Sequence, residues 1–113
     1  ADPATGLSGL GACGGLAAGP ATVLGDVREA HRLRSGDILV TRQTDPGWGP
    51  AFPLIAGLVI ERGGMLSHGA IIAREFGIPA VIGVRGATRL IANGQRLVVD
   101  GDRGVVSIED RAS

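Results

Sequence analysis

The chain has 113 residues, the length of one ordinary domain with little left over for a second core. Eleven acidic residues balance eleven basic ones, so no net field draws it to nucleic acid or to an anionic membrane surface. All eleven cations are arginine, which excludes lysine Schiff-base chemistry and a P-loop, and the lone Cys13 excludes an internal disulfide or a structural zinc site and suits a cytoplasmic setting.

Residues 1–8 are small and polar and read as a linker, which leaves 9–113 as the folded domain. The first residues lack the basic region of a signal peptide. Two uncharged stretches, 3–25 and 46–60, are not membrane spans, since the first holds seven glycines and the second is short and contains Pro46, Pro50 and Pro53. Ala17 to Leu24 suits a strand, Gly25-Asp26 turns the chain, and Arg28 to Ser35 is a polar connection. Asp37 to Thr41 is a short β-branched run of buried-strand length. Asp45-Pro46 marks a cap or turn start, and a short helix is expected over about 50–56, where prolines in a first turn are tolerated.

Leu58 to Ile60 predicts another strand, opened by Gly63-Gly64. Ser67 stands where the N-cap of a helix over His68 to Phe76 should be, Gly77 suits the left-handed position after it, and Pro79 lies just beyond. Ala80 to Gly83 is the next strand, so 58–83 outlines a βαβ unit. Arg96 to Val99 and Val105 to Ile108 flank Asp100-Gly101-Asp102-Arg103-Gly104, a hairpin signal. Strands outnumber helices, so the expected class is α/β or α+β with mixed strand directions.

Two glycine clusters invite a chemical reading. Gly9-Leu10-Gly11-Ala12-Cys13-Gly14 satisfies G-x-G-x-x-G, but a dinucleotide site needs a preceding strand and only eight linker-like residues come before it, so it reads as a glycine-rich entry strand. Gly63-Gly64-Met65-Leu66-Ser67-His68-Gly69-Ala70 sits between a strand and a helix start, where free amides and the helix dipole favour an anion. A histidine there offers a ring nitrogen as a nucleophile. Phosphorylating it would place negative charge where the amides point. Gly63 and Gly64 allow close approach, Gly69 leaves room beside the ring, and Ser67 would cap the helix or bond the phosphoryl group.

The run from Gly63 to Gly83 (GGMLSHGAIIAREFGIPAVIG) resembles the signature of the phosphohistidine swivelling domain, the mobile domain of phosphoenolpyruvate-utilising enzymes. The wording is similar to phosphoenolpyruvate synthases and rifampicin phosphotransferases more than to enzyme I of sugar phosphotransferase systems. The resemblance extends over roughly 9–109 and implies a single β/β/α sandwich with a glycine loop and a helix starting at the phosphohistidine. It implies that His68 carries a phosphoryl group between an ATP-binding domain, which would also hold Mg²⁺, and an acceptor domain of the same enzyme. Neither cofactor nor metal is expected in this chain itself, and the acceptor would be pyruvate or a small-molecule hydroxyl such as that of a rifamycin.

Two alternatives stand beside this reading: a non-catalytic docking module in which His68 only caps its helix, and a phosphorelay component fed by phosphoenolpyruvate. Leu66 occupies the place of a threonine that is regulatory in pyruvate phosphate dikinases. Cys13 reads as a small packed side chain and His31 as a surface residue. Arg74 reads as a solvated helix position or a phosphate or docking contact, and Trp48 as packing or a domain anchor.

Overall fold

The computed structural model describes residues 6–109. In chain order it contains β1 (Gly6–Ser8), β2 (Leu10–Cys13), β3 (Leu16–Val23), β4 (Ile38–Thr41), β5 (Gly57–Ile60), helix α1 (His68–Phe76), β6 (Ala80–Ile82), the single-turn helix α2 (Ala87–Leu90), β7 (Arg96–Asp100) and β8 (Val105–Glu109). Two 3₁₀ segments, Val27–Arg32 and Pro46–Ala51, fill the connections on either side of β4. This is the mixed α/β domain expected.

The strand order is β1-β8-β7-β3-β4-β5-β6-β2. β4, β5 and β6 run parallel, with Thr41 level with Ile60 and Ile60 level with Ile82. β7 and β8 form the expected hairpin. β3 is long enough to serve both halves: Leu16 to Pro20 pair antiparallel with β7, and Ala21 to Val23 pair parallel with β4.

Side-chain alternation explains why the halves stack into layers. Along the parallel strands Ile38, Val40, Val59 and Val81 enter one core with Leu97, Val99 and Val106 of the hairpin sheet. Their neighbours Leu39, Leu58, Ile60, Ala80 and Ile82 enter a second core with Trp48, Phe52, Ala70 and Ala73 from the helical side. A strand buried on both faces has no polar alternation, which is why these segments read as continuous apolar runs. β7 is one-sided: Leu97 and Val99 are buried while Arg96 is exposed. The result is hairpin sheet, parallel sheet and helices in three layers.

Several expectations shift. Gly6–Ser8, within the stretch read as linker, forms β1 on the outer edge of β8, where backbone groups would otherwise lack partners; residues 1–5 and 110–113 lie outside the described residues. The helix expected over 50–56 is a 3₁₀ segment beginning four residues earlier, because the Asp45 carboxylate accepts from Gly47 N at 2.8 Å and starts the winding at Pro46. The polar connection contains a 3₁₀ segment capped by Asp26. Helix α2 was not expected from local signals; Glu61 holds its first turn, accepting from Thr88 N at 2.9 Å and Thr88 Oγ1 at 2.6 Å. Those bonds, the hydroxyl's first, hold the Glu61 carboxyl below its ordinary pKa, with Arg42 and Arg62 adding to the effect against the opposing cost of burial.

The Gly9–Gly14 cluster is β2, an edge strand paired antiparallel with β6. Its glycines serve a backbone crossing: a Cβ on Gly11 would lie 2.0 Å from the carbonyl oxygen of Gly101, in the β7–β8 turn. Trp48 is buried in the helical-side core, Cys13 is half-buried against it, and His31 is exposed. No helix among the described residues is long and apolar enough to cross a membrane.

Candidate functional site

The parallel register builds the site. Because β4 and β5 end level at Thr41 and Ile60, the loops that follow them, 42–45 and 61–67, lie side by side, and α1 starts at the end of the second. Thr44 therefore meets His68 across 24 residues of sequence, with Thr44 Oγ1 2.9 Å from His68 Nδ1. The half-buried ring also stands edge-on to the buried Phe52, with centroids 6.3 Å apart and planes at 61°. One ring nitrogen is thus engaged by the protein. The other, Nε2, makes no hydrogen bond with the described residues.

The glycine loop is shaped by different demands at each position. Gly63 has φ +104°, a conformation that favours glycine, and a Cβ there would also lie 3.0 Å from Ser67 Cβ. A Cβ on Gly64 would meet nothing within 4 Å, so packing does not require glycine at that position. Gly69 was expected to leave room beside the ring. That room is already filled: a Cβ would lie 2.2 Å from Ile60 Cδ1 and 3.1 Å from Thr44 Oγ1, so the missing side chain lets the helix sit down on β5 and lets Thr44 reach the histidine.

Ser67 occupies the N-cap position without capping by its side chain. Its hydroxyl donates instead to the Gly64 carbonyl at 2.7 Å, closing the loop on itself and leaving the first-turn amides of α1 without a side-chain acceptor. The end of α1 is as expected, with Gly77 left-handed at φ +68°. The Arg74 guanidinium donates to the Ala12 carbonyl at 3.1 Å and to the Met65 carbonyl, bracing the loop against β2.

Beside the ring lies a hollow of about 220 Å³ lined by Gln43, Thr44, Ile60, Arg62, Gly63, Ser67 and Gly69. Met65 and Leu66 stand exposed on its loop, Leu66 at 87%. The structure thus gathers His68, Gly63, Ser67 and Gly69 at one place and adds Thr44, Phe52, Gln43 and Arg62, which sequence reasoning did not assign to the site. Only the parallel pairing of β4 with β5 reveals Thr44, since nothing local marks a threonine 24 positions upstream as a partner. Among the described residues no cluster of His, Cys, Asp and Glu could hold a metal ion.

The site thus consists of a histidine held by one ring nitrogen at a helix start, on a three-layer β/β/α scaffold. Residues 33–104 match the family described as PEP-utilising enzyme, mobile domain, and the chain belongs to that family. It is 53% identical over 106 residues to a rifampicin phosphotransferase of Streptomyces, an alignment covering 94% of this chain and 12% of that one. It is 46% identical over 102 residues to a "Probable phosphoenolpyruvate synthase" of Staphylothermus marinus, covering 88% of this chain and 12% of that one. Among solved structures it resembles an enzyme I solution structure with TM-score 0.63 and 29% identity over 74% of this chain and 35% of that one. The aconitase X structure of Thermococcus kodakaraensis shares the fold alone, with TM-score 0.70 and 19% identity over 93% of this chain and 98% of that one. The chain spans about 12% of the length of the curated relatives it matches.

If the Thr44 hydroxyl orients the ring, Thr44→Val should leave the amide spectrum of the domain largely unchanged. It should also alter the ring ¹⁵N shifts of His68 and slow its phosphorylation by about fivefold to tenfold, the worth of one hydrogen bond. Unchanged ring shifts together with an unchanged rate would remove Thr44 from the site.

Proposed function

We propose that the chain is the phosphoryl-carrier part of a larger phosphotransferase, in which His68 Nε2 is transiently phosphorylated and passes the group to an acceptor. The observation that carries this is the Thr44–His68 contact. With the proton on Nδ1, the ring donates to Thr44 Oγ1 and keeps a lone pair on Nε2. That lone pair attacks the donor phosphorus, the P–O bond breaks, and the leaving oxygen keeps the bonding pair. In the second transfer an acceptor oxygen attacks phosphorus and the P–N bond electrons return to Nε2. Splitting one transfer into two is covalent catalysis, and it lets a single histidine serve two reaction centres.

The alternative in which His68 merely caps its helix fits the geometry less well, since the ring nitrogen bonds Thr44. Donor and acceptor groups belong to other parts of such an enzyme. An ATP-binding domain with Mg²⁺ would supply the phosphoryl group, and pyruvate or a hydroxyl compound would receive it. Relatives named for different acceptors are similarly close over this segment, at 53% and 46% identity, which supports placing acceptor choice outside it. Gly63, Gly64, Ser67 and Gly69 shape the loop that presents the ring, and the exposed Met65 and Leu66 offer an apolar contact to whichever domain is docked.

The chain alone should not label itself from Mg-ATP, because it has no lysine and, among the described residues, no carboxylate cluster to manage the phosphates and metal. Labelling should appear when a separately produced nucleotide-binding domain is added. It should rise with that domain's concentration, since cutting the link removes an effective concentration in the millimolar range, on the order of that for short tethers. Robust self-labelling of the isolated chain would defeat the carrier model.

A further inference from the structure

We propose that the hollow beside His68 is the seat of the phosphoryl group itself, with Arg62 as the cation that pairs with it and Gln43 as a neutral donor. The proposal rests on the reading of His68 as the phosphorylated residue. The hollow is next to the histidine: its chain neighbours Ser67 and Gly69 and its hydrogen-bond partner Thr44 are wall residues. At about 220 Å³ the space falls below the roughly 300–1,000 Å³ typical of small-molecule pockets, so it suits a group of phosphate size and is too small for a nucleotide.

Its charge is one-sided. Arg62 is the only charged residue of the wall, and among the described residues it forms no salt bridge. The acids on the surrounding elements are engaged elsewhere or stand apart. Glu61 accepts both bonds from Thr88, Asp45 accepts from Gly47 N, and Glu75 is exposed two turns along α1. Of the other nearby cations, Arg74 is committed to the Met65 and Ala12 carbonyls, while Arg42 is exposed at the end of β4 and reinforces the positive sign. Glu61, the preceding residue, feels the Arg62 charge but makes no ion pair with it among the described residues, so the cation at this hollow can pair with an arriving anion. The phosphoryl dianion is the anion that His68 would bring.

The consequence is a shift in the second ionisation of phosphohistidine, because a nearby cation favours the dianion. The chain can be labelled with inorganic phosphoramidate. In that reaction Nε2 attacks phosphorus, the P–N bond of the reagent breaks, and ammonia leaves with the bonding pair. The ³¹P resonance of the labelled domain is then followed across neutral pH in wild type, Arg62→Gln, Arg62→Lys and Gln43→Ala, with His68→Asn showing that the label is on His68. The wild-type resonance should titrate about one pH unit lower than that of Arg62→Gln. Arg62→Lys should recover most of that difference, and Gln43→Ala should move the midpoint less than Arg62→Gln does. The Arg62 side chain is exposed and its backbone N–H bond to the Arg42 carbonyl survives substitution, so the amide spectra should confirm an unchanged fold. Coincident titrations of wild type and Arg62→Gln, with His68 labelled, overturn the seat while leaving the carrier reading in place. Absence of label on wild-type His68, under conditions that phosphorylate free imidazole, overturns both.

Discussion

His68→Ala should reduce phosphoryl transfer by the complete enzyme to background while leaving the domain folded. The ring is half-buried, and its contacts are one hydrogen bond to Thr44 and an edge contact with Phe52. Losing them should cost about 1–2 kcal/mol, well inside the roughly 5–15 kcal/mol by which domains are stable. On the proposed carrier role the chemical loss is of another order, because a covalent carrier has no partial substitute: without Nε2 there is no intermediate to move. The wild-type domain should carry one acid-labile, base-stable phosphoryl group, as a phosphoramidate does, and the variant none. Turnover persisting at the wild-type rate in purified His68→Ala, or phosphate located on Ser67 instead, would sink the assignment.

Gly101→Ala should be as damaging to the fold as His68→Ala is to the chemistry. A Cβ at residue 101 would lie 1.8 Å from the Cys13 carbonyl oxygen, 2.9 Å from its carbon and 3.2 Å from Ala80 N. All three are backbone atoms of paired segments, so no side-chain rotation relieves the overlap. The β7–β8 turn would have to lift off β2, breaking the Gly101 N to Gly15 O bond of 2.8 Å. A loss of roughly 3–5 kcal/mol is expected, which for a domain of this size lowers Tm by about 15–25 °C. Gly49→Ala is the control: nothing lies within 4 Å of its added Cβ and its backbone is ordinary, so its Tm should stay within a few degrees of wild type. Similar melting of Gly101→Ala and wild type in calorimetry would show that the crossing is looser than described.

What could be read from the sequence, and what could not, follows the range of the forces involved. β4, β5 and β6 were legible because burial on both faces leaves an unbroken apolar run, and the end of α1 was legible because a left-handed residue and a following proline act locally. α2 was not, since its first turn is held by Glu61 from 27 residues away. β1 was not, because three small residues carry no apolar pattern and gain their order only from the free edge of β8. At the site, His68 and Gly63 announced themselves by local context. Thr44, Arg62 and Gln43 did not, because a parallel register brings them there. Ser67 stands at the expected N-cap position, but its hydroxyl bonds the nearer Gly64 carbonyl in place of the helix amides. At Gly69 the missing side chain admits Ile60 and Thr44, a tertiary packing that local sequence does not show.

The pairing of β1 with β8 has a mechanical side. Gly6 lies opposite Ser107, so the chain enters and leaves the domain as antiparallel neighbours, on the flank where Pro20 pairs with Arg96 and Ala21 with Ile38, at the start of the parallel strands. His68 follows their far end. Two tethers fixed at separate points would resist rotation, each winding against the other; two tethers fixed side by side behave as one pivot. The arc swept by His68 for a given rotation grows with its distance from that pivot, and the 37 Å long dimension of the described molecule bounds this radius. If the domain turns about that point, the ring can move without breaking a paired strand.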